Sequence, residues 1–180
     1  MDTFRLSEKM TKIQVLVFSG LLFAIALILS LVESMLPIIP IAVPGIKFGL
    51  SNIAVMYALF FLGAKQAYTI AILKALFVFL TRGFIASTLS LAGGLSSITC
   101  MLLMLILLKE KISYISVSVV GGVSHNIGQF LAVTIIYISA SIWAYLPVLL
   151  ISGVITGIIT ATLLNIVLPI LKKVIWVIEE

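Results

Sequence analysis

The sequence predicts an all-α fold: a polytopic membrane protein whose 180 residues form one integral membrane domain, a bundle of six transmembrane helices. Three observations lead there. The chain is 63% hydrophobic and 9% charged, with a mean hydropathy of +1.37, and a soluble domain must show water more charge than that. Apolar runs recur at lengths near the roughly 20 residues that a helix needs to cross the hydrocarbon core. Three of the five prolines and most of the charged residues gather between those runs rather than within them.

The first span covers residues 13–36. It ends at a stretch, 37–46, that holds three of the five prolines (Pro37, Pro40 and Pro44) and Gly45. Proline lacks a backbone donor and forbids regular helix around it. Irregular backbone at membrane depth survives only where protein covers it or it borders a wet cavity. The stretch therefore reads as an extracytoplasmic loop closing over a pocket, with the spans as walls. A second span covers 47–63 and closes at Gly63. Only GAKQ separates it from a short third span, 66–81. The fourth, 86–108, stops at Lys109, Glu110 and Lys111. The fifth covers 113–139 and the sixth 145–171. The N-terminal MDTFRLSEKMTK is too polar, and the apolar run after it too long, for a cleaved signal peptide. Cys100 reads as a small core residue with no internal disulfide partner.

Basic residues set the orientation. With the N-terminus in the cytoplasm, Arg5, Lys9, Lys12, Lys65, Lys109, Lys111, Lys172 and Lys173 fall inside, and only Lys47 and Arg82 fall outside. Eight against two obeys the positive-inside rule, so both termini are expected in the cytoplasm. The net charge of +5 is thus a topology signal, and no nucleic-acid partner is expected. Trp143 and Tyr145 then sit at the outer interface, where amphipathic rings belong.

Ionisable groups within spans are insertion-costly, roughly 2.5–3.5 kcal/mol at the helix centre, and usually mark function. Lys74 lies midway along the third span and His125 midway along the fifth; Glu33 is one turn inside the end of the first, and Arg82 closes the third. Helical spacing puts Ser118, Gly122, His125 and Gln129 on one stripe, with Asn126 beside it. Ser90, Gly94, Ser97 and Met101 do the same on the fourth span, and Ser51 and Asn52 open the second. Glu33, Lys47, Asn52, Lys74, Arg82, Ser90, His125, Asn126 and Gln129 are the candidate substrate-binding residues. Three cations against one acid suit a solute with an anionic part. Structural alternatives stand beside each. Glu33 then only neutralises a nearby cation, Lys74 pairs or snorkels, Arg82 anchors the interface, His125 is a hydrogen-bonded core residue, and Asn126 and Gln129 glue helices. Small residues four apart, Gly20 and Ala24 on the first span and Gly153, Gly157 and Ala161 on the sixth, pack either within the chain or against a partner.

Most enzyme classes are excluded. Asp2 is the only aspartate, and Glu33 is the only glutamate at membrane depth, so no acid pair can hold a magnesium diphosphate. No Walker loop, and no histidine or cysteine cluster for a metal, is present; no catalytic residue, metal or cofactor is expected.

Three motifs, VPGIKFGLSNIAVMYALFFLG, TRGFIASTLSLAGGLSS and GGVSHNIGQF, resemble in sequence and order a family of small bacterial membrane proteins. These are the Gx transporters, in older naming heptaprenyl diphosphate synthase component I. The resemblance covers about residues 13–172 and implies a bacterial cytoplasmic membrane location. On the motifs it carries over Lys47, Gly49 and Asn52, then Arg82, Ser90, Gly93 and Gly94, then His125, Asn126 and Gln129. The family in turn resembles the substrate-binding S components of energy-coupling-factor (ECF) transporters. That resemblance implies capture of a vitamin-like micronutrient in an outer-facing pocket, and partnership with a transmembrane coupling protein and ATPases. S components dock through two alanines four apart on the first helix; here Gly20 and Ala24 occupy those positions, so one alanine is replaced. The older name implies the other reading: a non-catalytic membrane subunit of a polyprenyl diphosphate synthase, or of a flavin-linked redox complex. The aspartate-rich motifs of soluble prenyl synthases are missing.

Overall fold

The computed structural model describes residues 10–35, 50–108, 112–137 and 140–179, with side chains through residue 166 except at 140–142. The proline-rich stretch 37–46, Lys47, Lys109 and Lys111, and the side chains of Lys172 and Lys173, lie outside the described residues. Six α-helices follow one another: α1 Lys12–Met35, α2 Asn52–Phe61, α3 Ala64–Arg82, α4 Phe84–Leu108, α5 Tyr114–Ile136 and α6 Leu146–Glu179. A 3₁₀ segment, Ala140–Tyr145, leads into α6. Five of the helices are long and apolar enough to cross a membrane, which makes the chain a multi-pass membrane protein.

Local chemistry sets the ends. Thr11 and Gln14 form a reciprocal capping box at the start of α1: the Gln14 N–H donates to Thr11 Oγ1, and the Thr11 N–H to Gln14 Oε1 at 2.7 Å. Ser113 caps α5 by accepting from the Ser116 N–H at 3.1 Å. Single glycines make the two tightest turns. Gly63 (φ 100°) separates α2 from α3, and Gly83 (φ 85°) separates α3 from α4. Both are left-handed conformations that a side chain resists. Pro147 sits in the first turn of α6, where its missing donor has no intrahelical partner to lose.

The second element departs from the expected 47–63 span. As described, α2 is ten residues, about 15 Å of rise against a hydrocarbon core of about 30 Å. Every one of its residues is buried, and so are Ser51 and Leu62 at its ends. It is apolar on all sides because protein surrounds it on all sides. α1, α3, α4 and α5 pack round it, and its own residues form most of the main core with Ile70, Ile98, Met101 and Leu164. Phe60 meets Tyr114 edge-on at 5.5 Å, and the Tyr57 hydroxyl donates to the Leu163 carbonyl at 2.9 Å, tying α2 to α6.

Around this plug, α3, α4, α5 and α6 pack in chain order, each on the next. The Gly153–Gly157–Ala161 row of α6 serves this intramolecular contact. It faces α5 at Gly122, Ser118 and Val119, close enough that backbone meets backbone. α1 is the most loosely held wall: of its 24 residues only Ala26, Ser30 and Glu33 are buried. Threonines in the lipid-depth helices satisfy themselves by donating back to the carbonyl four residues earlier, as Thr69, Thr88 and Thr160 do.

Candidate functional site

Four helices and the residue preceding α2 converge on one polar cavity. α1 supplies Ser30 and Glu33, three residues apart. α3 supplies Lys74, Val78 and Arg82, four apart. α4 supplies Ala86 and Ser90, and α5 supplies His125 and Gln129, again four apart. Ser51 completes the lining. Each helix thus turns a single stripe toward the same point, which is what helical periodicity makes of such spacings. Glu33 and Lys74 are each 1% exposed, His125 2% and Gln129 3%, so ionic and imidazole groups lie at full burial within the bundle.

The contacts form a connected set. The Leu50 backbone N–H, at the approach to α2, donates to Glu33 Oε1 at 3.3 Å. Lys74 Nζ donates to Ser51 Oγ at 3.3 Å. Arg82 Nη2 donates to the Ser30 carbonyl and, at 3.3 Å, to Ser30 Oγ, so α3 is latched to α1. Glu33 acts electrostatically on both Lys74 and Arg82, offsetting one of the two positive charges. Gln129 Nε2 and His125 Nε2 stand 2.9 Å apart. The imidazole edge lies over Gly93 of α4. A Cβ there would come within 2.8 Å of His125 Cε1 and 2.9 Å of Gln129 Cγ, so Gly93 makes room for both side chains.

Six of the nine candidate binding residues line this cavity: Glu33, Lys74, Arg82, Ser90, His125 and Gln129. Lys47 lies outside the described residues. Asn52 and Asn126 point elsewhere, and both join helices. Asn52 Nδ2 donates to Ser97 Oγ at 2.7 Å, and Ser97 donates on to the Gly121 carbonyl at 2.8 Å, linking α2, α4 and α5. Asn126 Nδ2 donates to the Leu149 carbonyl at 2.7 Å and to Ser152 Oγ at 2.9 Å, linking α5 to α6. The stripe drawn from Ser118 to Gln129 therefore divides. Its end nearer the α5 C-terminus faces the cavity, while Gly122 and Ser118 face α6. The sequence reading missed Ser30 as a site residue, and left Ser51 out of the binding set. The offset of three between Ser30 and Glu33 is the signal that pairs them.

The relay through Ser97 gives a direct expectation. Ser97→Ala leaves a buried Asn52 amide without its acceptor and should lower stability by about 1–2 kcal/mol. Thermal melting in a mild detergent checks it; an unchanged melt would mean the relay carries nothing.

The cavity is small: the space open to the centre of a water molecule is about 20 Å³, room for one or two waters. Gly20 and Ala24, by contrast, are exposed on α1, and nothing lies within 4 Å of the position a Gly20 Cβ would take. No curated protein and no solved structure matches the chain. Residues 22–167, a stretch that contains all six helix cores and every cavity-lining residue, match the sequence pattern described as heptaprenyl diphosphate synthase component I. The chain belongs to the heptaprenyl diphosphate synthase component I family.

Proposed function

We propose that this protein is a membrane solute-binding and transport protein of the S-component type, holding a small solute with an anionic group between α1, α3 and α5. One observation carries the reading: Glu33, Lys74, Arg82, His125 and Gln129, drawn from three helices, meet at one buried cavity instead of scattering or facing lipid. Charged groups at that depth are expensive, and a bundle meant only as a scaffold has no use for them. Lys74 and Arg82 supply positive charge, Ser51, Ser90 and Gln129 supply hydrogen bonds, and His125 does either.

With room for only a water or two, the cavity must widen to admit a solute. α1 is the wall that opens. It packs chiefly on α2 and α3, and it carries the Ser30 end of the latch to Arg82. An incoming carboxylate or phosphate competes with the Ser30 carbonyl for the guanidinium. Binding then favours the state in which α1 has swung away, and that differential affinity is what moves a two-state equilibrium.

The test is thermal stabilisation of the purified protein against a panel of carboxylate- and phosphate-bearing micronutrients. A true solute at about 100 times its Kd adds about 2.7 kcal/mol, which for a chain of this size raises Tm by about 5–10 °C. Arg82→Gln should remove the shift, and because it also breaks the latch to Ser30 its unliganded melt should fall by a few degrees. A panel with no response would sink the reading.

The family's name favours a second reading, a membrane subunit of a polyprenyl diphosphate synthase with no catalysis of its own. It expects co-purification with a soluble synthase subunit in mild detergent and no solute response. The first reading expects the reverse.

A further inference from the structure

We propose a binding site for an anionic membrane phospholipid in the groove between the N-terminal halves of α1 and α3. This site lies at the opposite end of those helices from the charged cavity, and it does not depend on the solute-binding reading. The groove measures about 650 Å³. Its floor is apolar, from Val15, Phe23, Ile70 and Leu73, and it deepens at Gly20, where nothing lies within 4 Å of a would-be Cβ. Lys12 and Lys65 stand at its mouth, in the first turns of α1 and α3.

Three features select the occupant. The groove opens sideways to the bilayer, because the flanking α1 residues Ile13, Leu16 and Val17 are 74%, 72% and 63% exposed. An acyl chain is the apolar body that bilayer offers. Both lysines are exposed at helix ends, the depth of lipid headgroups, and among the described residues no acid lines the groove or stands in the first turn of either helix. Basic pockets between helices at that level take phosphate headgroups. Finally, the two helix starts differ. The α1 start is satisfied by its own Thr11–Gln14 box, whereas α3 begins at Gly63 with no side-chain cap. The first N–H groups of α3 add positive partial charge beside Lys65.

The experiment uses native mass spectrometry of the delipidated full chain, titrated with phosphatidylglycerol or phosphatidylcholine of matched acyl chains. Two lysines near a phosphate should favour phosphatidylglycerol by about tenfold to thirtyfold. Lys12→Gln with Lys65→Gln should erase that preference while leaving phosphatidylcholine binding in place. Gly20→Trp places a bulky ring from a position with open space around its Cβ and should weaken both lipids; its unliganded melt should match wild type. Millimolar inorganic phosphate should not displace the lipid, because it lacks the chain that occupies the floor. Equal binding of the two lipids by wild type, or a preference unaffected by the double glutamine variant, would overturn the proposal. So would displacement by inorganic phosphate, or a polyprenyl diphosphate outcompeting phosphatidylglycerol for the same groove. Capture there of a helix from another protein in place of lipid would overturn it too.

Discussion

Glu33→Gln is expected to destabilise the fold by about 3–5 kcal/mol, more than any other conservative change in the cavity. The substitution keeps size, so packing at the 1%-exposed position is preserved, and Gln retains one oxygen to accept from the Leu50 N–H while the charge is lost and the second oxygen becomes a donor. Charge is what the site cannot spare. Lys74 is equally buried, its one hydrogen bond to Ser51 is long at 3.3 Å, and Glu33 is the negative group acting on it. Without Glu33 two cations on one face of α3 line the same small cavity with no acid among its lining residues. The double variant Glu33→Gln with Lys74→Met separates this account from one based on shape. Exchanging both charged partners for neutral side chains removes the uncompensated charge, so most of the lost stability should return, although solute binding should not. Denaturant unfolding in mixed micelles reads both quantities. If the single variant is as stable as wild type, or the double variant is as weak as the single, then Glu33 is not the counter-charge of this cavity.

How much of this was legible in the sequence depends on what each residue can signal. Six helices followed from apolar run length and from the breaks at Gly63 and Lys109. Glu33, Lys74, Arg82, His125 and Gln129 announced themselves because an ionisable or amide group in an apolar run has few reasons to be there. The length of α2 was not legible. A span facing lipid and a short helix sealed inside protein are both apolar all round, and periodicity cannot separate them. Asn126 was misassigned for a geometric reason. It follows His125 directly, and consecutive helical residues point about 100° apart, so the two could not both face the cavity. One faces α4 and the other α6. Ser30 was missed because a serine in a membrane helix can satisfy its hydroxyl on its own backbone, so its offset of three from Glu33 was the one signal it gave. Gly93 was visible only as a motif residue. Its role emerges once the His125 ring is seen resting on it.

The other large effect is expected at a residue that carries no polar side chain. Gly122→Ala should cost about 2–4 kcal/mol, an unusual penalty for one methyl group. A Cβ on Gly122 would be driven into the Gly153 carbonyl, and the reverse substitution meets Gly122 O at 2.9 Å and Val123 Cα at 2.9 Å. Gly157 is no freer, with Val119 Cα at 2.5 Å. These neighbours are backbone, so no rotamer change relieves the overlap, and α5 and α6 must move apart along the whole crossing. In lipid that separation is serious, because close backbone approach is itself the driving force for association. The damage also reaches the cavity. His125 follows Gly122 by three residues on α5, and Asn126, one further on, holds the same helix to Leu149 and Ser152. A shifted α5 therefore lifts the imidazole off Gly93 and loosens the wall opposite Lys74. Gly20→Ala is the matched control. It adds the same methyl group to a glycine with open space around it, and it should change stability by no more than about 0.5 kcal/mol. Melting curves of the two variants side by side decide the matter. A Gly122→Ala protein that melts with Gly20→Ala would mean α5 and α6 do not cross at these glycines, and the position of the His125 wall would fall with that crossing.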